Sequence, residues 1–205
     1  MARRTKAEAE ATRESLLDAA EAVFYEKGVA RASLREIAHT AGVTRGALYW
    51  HFEGKADLFQ SMLERVHMPF EELVEAIPDE QRAEGHLDEI RLACLQAIDR
   101  LERPQYKRVH AILLHRCEFF ADINPVGMLA ELSREAVAAT LPRFEAARSA
   151  GELRPGLSAE DANQLLHATL RGLIHGWHLD TSAFSLAETG SRLVDQWFRL
   201  VSADG

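Results

Sequence analysis

The stretch Leu34-Arg-Glu-Ile-Ala-His-Thr-Ala-Gly-Val-Thr-Arg-Gly-Ala-Leu-Tyr-Trp-His-Phe52 reads as two short helices around a tight turn. Ser33 and Glu36 have the spacing of a capping box, in which the hydroxyl accepts from the amide three residues on and the carboxylate reaches back. Gly42 offers left-handed backbone for the turn, and Ala38 the small side chain needed where two steeply crossed helices touch. Thr44 caps a second helix over residues 45–50. Ile37, Val43 and Leu48 fall where both helices pack on a preceding one. Thr44, Arg45, Ala47, Tyr49 and Trp50 stay largely off that core. This is the arrangement of a helix-turn-helix whose second helix can enter a groove.

The outward chemistry separates that reading from an ordinary αα-hairpin, which also uses Ala and Gly. Thr44 and the free amides beside it suit a phosphate. Arg45 can donate bidentately to guanine. Tyr49 and His51 carry polar tips for phosphate oxygens, and Lys55 opens the next helix. Trp50 is expected to pack on that next helix, with a backbone sugar contact as the alternative.

Outward from this stretch, everything reads as helix. Leu16, Ala20, Val23 and Phe24 repeat at helical spacing before the stop signal Gly28. Phe59, Leu63, Val66, Phe70, Leu73 and Ile77 mark a long helix after Gly54, bent or broken by Pro69 near Val66–Pro69. Further helices follow from the spacing of Leu87 to Leu101 and of Val109 to Phe120, the latter stopping at Asn124-Pro125. Leu129 to Ala147 carries an internal Pro142. A helix capped by Ser158 runs to about His178, and a last one spans Leu186 to Val201. The expectation is an all-α chain of about nine helices. Residues 1–55 form a three-helix helix-turn-helix domain, and residues 56–205 a larger helical domain for ligand binding and dimerisation.

The net charge of −8 over 205 residues argues at first against a nucleic-acid partner. Residues 1–52, however, hold eight basic and seven acidic side chains, so the remainder carries −9. The acidity belongs to the C-terminal three quarters. No run approaches the ~20 apolar residues of a membrane span, and the N-terminus lacks the apolar stretch of a secretory signal. With only Cys94 and Cys117, a reducing cytosol is the expected compartment.

The segment from Thr12 to Leu58, centred on Thr44-Arg-Gly-Ala-Leu-Tyr-Trp-His-Phe-Glu-Gly-Lys55-Ala-Asp-Leu58, resembles the DNA-binding domain of the TetR family of bacterial transcriptional repressors. Ala2-Arg-Arg-Thr-Lys6, Phe24-Tyr-Glu-Lys-Gly-Val-Ala-Arg31 and His115-Arg-Cys-Glu-Phe119 resemble its multidrug-efflux branch. The resemblance implies a homodimer on double-stranded palindromic operator DNA. It implies a recognition helix over residues 44–50, which includes Gly46 and Ala47, and phosphate contacts from Ser33, Tyr49, His51 and Lys55. It also implies a basic arm of Arg3, Arg4 and Lys6, for which a solubilising tail is the alternative.

The acidic body suggests a sensor. Leu166, Leu173 and Trp177 on one helix, and Leu193, Val194 and Trp197 on the last, form apolar faces too wide for a monomer and fit a twofold four-helix interface. Gly172 and Gly176, one turn apart, permit close approach. Met68, Leu113, Leu114, Val137, Phe144, Leu170 and Ile174, with Ile112 and Met128, would line a site for a small apolar or amphipathic drug-like ligand. His110, Cys117 and His167 would be its polar groups. His175-x-x-His178 lacks the companions of a structural zinc site, and no catalytic or cofactor motif is present. The expected function is a ligand-responsive repressor, probed against two alternatives: a regulator of another pathway, or a DNA-binding protein without a ligand.

Overall fold

The structure is a computed structural model that describes residues 6–81, 83–118 and 123–203. The expected arm residues Arg3 and Arg4, and Phe119 and Phe120, lie outside the described residues. The described residues form ten α-helices and no strand. They are α1 Lys6–Lys27, α2 Leu34–Thr40, α3 Arg45–His51, α4 Lys55–Glu64, α5 Phe70–Glu75, α6 His86–Glu102, α7 Pro104–Ala111, α8 Pro125–Ser149, α9 Ala159–Leu179 and α10 Ser191–Val201. Two π-helical turns, Ile112–Arg116 and Leu186–Gly190, adjoin α7 and α10. No helix among the described residues is long and apolar enough to cross a membrane.

The chain divides into two compact units: Met1–His67 with Pro104–Gly127, and Met68–Arg103 with Met128–Gly205. This differs from the expected boundary at residue 55: α4 and α7 both pack on α1 and so belong to the first unit. In the first unit α1 buries Leu16, Leu17, Ala20, Val23 and Phe24. Phe24 meets Phe59 of α4 edge to face at 5.9 Å. Each such side chain contributes about 1.5–3 kcal/mol by burial. Arg65 fastens the end of α4 to α1 through Glu14 at 3.2 Å and Asp18 at 2.7 Å. Arg108 of α7 pairs with the buried Glu21 of α1 at 2.5 Å. The chain breaks at Pro69 as its ring demands, and Pro69 becomes the N-cap of α5.

Two helix starts fall earlier than the apolar spacing suggests. α7 begins at Pro104, whose missing N–H costs nothing in a first turn. α8 begins at Pro125, because Asn124 Oδ1 accepts from the Gly127 amide at 2.8 Å. Asn124-Pro125 is a start rather than a stop.

The second unit is built around Ile90, Ile98 and Leu101 of α6, Phe144 of α8, Leu166 and Trp177 of α9, and Val194 and Phe198 of α10. α8 runs through Pro142 without interruption. Glu152 caps α6 from a distance: its carboxylate accepts from the His86 amide at 3.2 Å and the Leu87 amide at 2.8 Å. A Cβ at Gly85 would lie 2.9 Å from the Glu152 carboxylate, so a larger residue there would push that carboxylate off its capping position. Glu152→Ala is expected to lower stability by about 1–2 kcal/mol, read as a lower urea midpoint at unchanged m-value.

Candidate nucleic-acid interface and sensor residues

The local chain chemistry places the helix-turn-helix as expected. Ser33 Oγ accepts from the Glu36 amide at 3.2 Å, and Glu36 Oε2 accepts from the Ser33 amide at 3.0 Å. The other Glu36 oxygen takes the Lys27 ammonium at 2.7 Å. Lys27 and Ser33 hold the Glu36 carboxyl down at about 2. Gly42 adopts φ 68°, and Ile37, Ala38 and Leu48 are buried while Val43 is half-buried. Thr44 Oγ1 accepts from the Ala47 amide at 3.1 Å, which leaves the hydroxyl proton to donate outward. The Ser33 hydroxyl is committed to Glu36 Oε2 at 2.7 Å. The Ser33 hydroxyl proton is therefore not available to a phosphate oxygen in this conformation.

Arg45, Gly46, Tyr49 and Trp50 are exposed on α3, and Ala47 and His51 are half-buried. The Arg45 guanidinium lies 5.9 Å from the Tyr49 ring centroid, so the two form one outward platform at i and i+4. Trp50 is 72% exposed and does not pack on α4. Its ring meets only its neighbour His51, edge to face at 4.6 Å among the described ring contacts. The reason is helical phase: Leu48 and Phe52 take the inward directions, which turns Trp50 away. Arg13 of α1 sits 5.4 Å from the Phe52 ring and steadies the end of α3.

Lys55 does not match its expected phosphate role. Its ammonium donates to the carbonyls of Val29 at 2.9 Å, Ala30 at 3.0 Å and Ala32 at 3.0 Å. All three protons are thus spent on the α1–α2 loop, and burial lowers the Lys55 pKa. The sequence carries no local signal for this staple, because its acceptors lie more than twenty residues away.

The expected sensor residues divide between the two units. His110, Leu113, Leu114 and Cys117 belong to the first; Met68, Val137, Phe144, His167, Leu170 and Ile174 belong to the second. Leu113 and Phe144 are buried in the cores of their own units, so neither has surface to give a ligand in this conformation. Burial pushes the His110 imidazole down to about 4. Burial and the nearby Arg171 do the same to His167, also to about 4. Burial raises the Cys117 thiol to about 11 and Cys94 to about 12, so both are neutral thiols at pH 7.

Of the residues expected at a dimer interface, Leu166, Trp177 and Val194 are buried in the unit's own core, and Leu173 and Trp197 pack against it. Leu193 alone of the six is exposed. The wide apolar faces are therefore largely intramolecular. The apolar side chains that α9 and α10 leave in solvent are Leu165, Leu179, Leu193 and Leu200.

Residues 16–62 match the bacterial regulatory proteins of the tetR family, and residues 85–203 match the C-terminal region of MAATS-type transcriptional repressors. The chain belongs to the TetR family. It is similar to the HTH-type transcriptional repressor BepR of Brucella suis, at 40% identity over 94% of this chain and 92% of that protein. It is similar to the regulator TtgR of Pseudomonas putida, at 37% identity over 95% and 93%. Among solved structures, NalD, the secondary repressor of the MexAB-OprM multidrug efflux pump in Pseudomonas aeruginosa, superposes with a TM-score of 0.83 at 34% identity, covering 98% of this chain and all of NalD. A triclosan complex of SmeT superposes with a TM-score of 0.79 at 32% identity, over 95% and 93%. This TetR-family protein is a transcriptional repressor of the helix-turn-helix type and not an enzyme.

Two outcomes test this geometry. Lys55→Met is expected to lower stability by about 2–3 kcal/mol, since it strands three carbonyls, and to leave the salt dependence of DNA binding unchanged. A slope reduced by about one unit would restore Lys55 to the phosphate backbone. The Glu36 carboxyl sits below its ordinary value, so its contribution is complete above about pH 5 and is lost as pH falls towards about 2. The acid limb of a thermal-melt series should accordingly be shallower in Glu36→Gln than in the parent chain.

Proposed function

We propose that this protein is a ligand-responsive repressor of a multidrug-efflux operon, acting in the cytoplasm as a homodimer on a palindromic operator and released by a small apolar or amphipathic ligand. The observation that carries the reading is the Arg45–Tyr49–Trp50 face, set outward on an α3 capped by Thr44. Full-length similarity to efflux-pump repressors supplies the regulated class. In the proposed complex the two recognition helices enter successive major grooves, about 34–36 Å apart. Arg45 reads a base, while Thr44, Tyr49 and His51 hold phosphates. Trp50, exposed rather than packed, is available to the sugar-phosphate backbone.

For the dimer, the exposed Leu165, Leu179, Leu193 and Leu200 are the apolar surface that a second copy would cover. Gly172 and Gly176 have nothing within 4 Å of the Cβ direction, which leaves room for a partner helix. For the ligand, the half-buried members of the expected set within the second unit have surface to give: Met68, Val137, His167, Leu170 and Ile174.

Leu179→Glu is expected to shift the chain from dimer to monomer in size-exclusion chromatography with light scattering, and to abolish operator binding with it. Arg45→Ala should cost roughly 1–3 kcal/mol at one base position while sparing non-specific binding. Operator DNA and inducer should weaken each other by the same factor in fluorescence titrations. Equal inducer affinity with and without operator would sink the release mechanism.

A further inference from the structure

The end of α1, the α1–α2 loop and the π-helical turn Ile112–Arg116 border a cavity of about 380 Å³ that belongs wholly to the first unit. On a chain of net charge −8, its walls are mostly cationic. Lys27 comes from α1, Arg31 from the loop, and His115 and Arg116 from the π-turn. Among the described residues, Glu118 is the one carboxylate that lines it. The space is left open because the loop side is Gly28 and Ala30, which put almost no side chain into it.

The two guanidiniums are held by groups that leave their charge intact. Arg31 Nε donates to the Lys27 carbonyl at 2.8 Å, and the Arg116 guanidinium lies 5.9 Å from the centroid of the Tyr25 ring. Neither forms an ion pair among the described residues. Lys27 gives one proton of its ammonium to Glu36 at 2.7 Å, and two more remain. The carbonyls that would repel an anion are covered: Arg31 takes that of Lys27 at the end of α1, and Lys55 takes those of Val29, Ala30 and Ala32. Like charges around one cavity repel, and an anion between them relieves that repulsion. The cations come from three chain segments, which suits the tetrahedral oxygens of a phosphate better than the planar edge of a carboxylate. The volume falls in the range of small-molecule sites, roughly 300–1,000 Å³, so it admits a phosphate together with part of the molecule that carries it.

We infer that this cavity is a binding site for a small phosphorylated molecule, with Arg31 and Arg116 gripping the phosphate or diphosphate and Lys27 adding a further donor. The bound oxyanion bridges the α1–α2 loop to the π-turn, beside the Val29 amide that donates to the Arg116 carbonyl at 2.9 Å. The site is built from first-unit residues alone, so it is a different site from the apolar sensor residues of the second unit.

The test titrates pyrophosphate calorimetrically into the full chain at constant ionic strength. Saturable binding is expected, weakened about tenfold or more in Arg31→Gln and in Arg116→Gln. Arg134→Gln, which removes a cation spent on Glu131 in the second unit, should bind as the parent chain does. Glu118→Gln should bind about threefold tighter, the size of one unit charge acting through solvent, a gain that a poorly folded variant does not produce. A second arm measures the salt dependence of binding to a random-sequence DNA duplex, whose slope should be the same in the parent chain and in both arginine variants. A slope reduced by about one unit in either variant would assign that arginine to the DNA backbone instead and overturn the inference. Pyrophosphate binding that is absent, that survives both arginine changes, or that Glu118→Gln weakens would overturn it as well.

Discussion

The α1–α2 loop is where this protein's first unit is tied together. Lys55 reaches back from the start of α4 to three of the loop's carbonyls, and the loop's Val29 amide donates to the Arg116 carbonyl at 2.9 Å. An ammonium has three protons and no acceptor, so it can satisfy a carbonyl cluster that no neutral side chain could. The loop leads directly into Ser33, the N-cap of α2, and α2 orients α3. The direction in which Arg45 and Tyr49 point therefore depends on a staple that lies outside the recognition helix.

The same loop gives the DNA-reading elements a physical neighbour of another kind. The π-helical turn Ile112–Arg116 ends at the carbonyl that Val29 holds, and α7 is anchored to α1 by Arg108 and the buried Glu21. π-helical turns are rare and recur at functional sites. Gly28 fits beside this turn because a Cβ would come within 3.3 Å of the Arg116 carbonyl, and its φ of 81° suits no other residue comfortably. A shift in the α7 segment would be felt at the loop through one hydrogen bond, without passing through the recognition helix itself.

Electrostatics divide the labour. The first 52 residues are close to neutral, and two cations of the first unit are spent internally: Lys27 on Glu36, and Lys55, just beyond that stretch, on the α1–α2 loop. What remains outward on α3 is Arg45, stacked on Tyr49. A near-neutral DNA-facing segment implies modest non-specific affinity and a reliance on correctly placed contacts. The net −9 of the remaining residues opposes non-specific approach of DNA to them.

The helices, their caps and the break at Pro69 were legible because each is a local matter of spacing and of a side chain meeting its own backbone within a few residues. The turn at Gly42 and the N-caps at Ser33, Thr44 and Ser158 belong to that class. What spacing could not decide was which apolar face is left over once the chain has folded on itself. Leu166, Trp177 and Val194 look no different in sequence from Leu165, Leu179 and Leu193, yet the first three fill the core and the others face solvent. Lys55 was opaque for a related reason, since its three carbonyl acceptors lie more than twenty residues back along the chain. The sequence by itself determined the helices and the chemistry offered at α3, because these are short-range; only the tertiary structure decided which side chains were consumed internally and which stayed free to bind, because burial and long-range hydrogen bonds are properties of the packed whole.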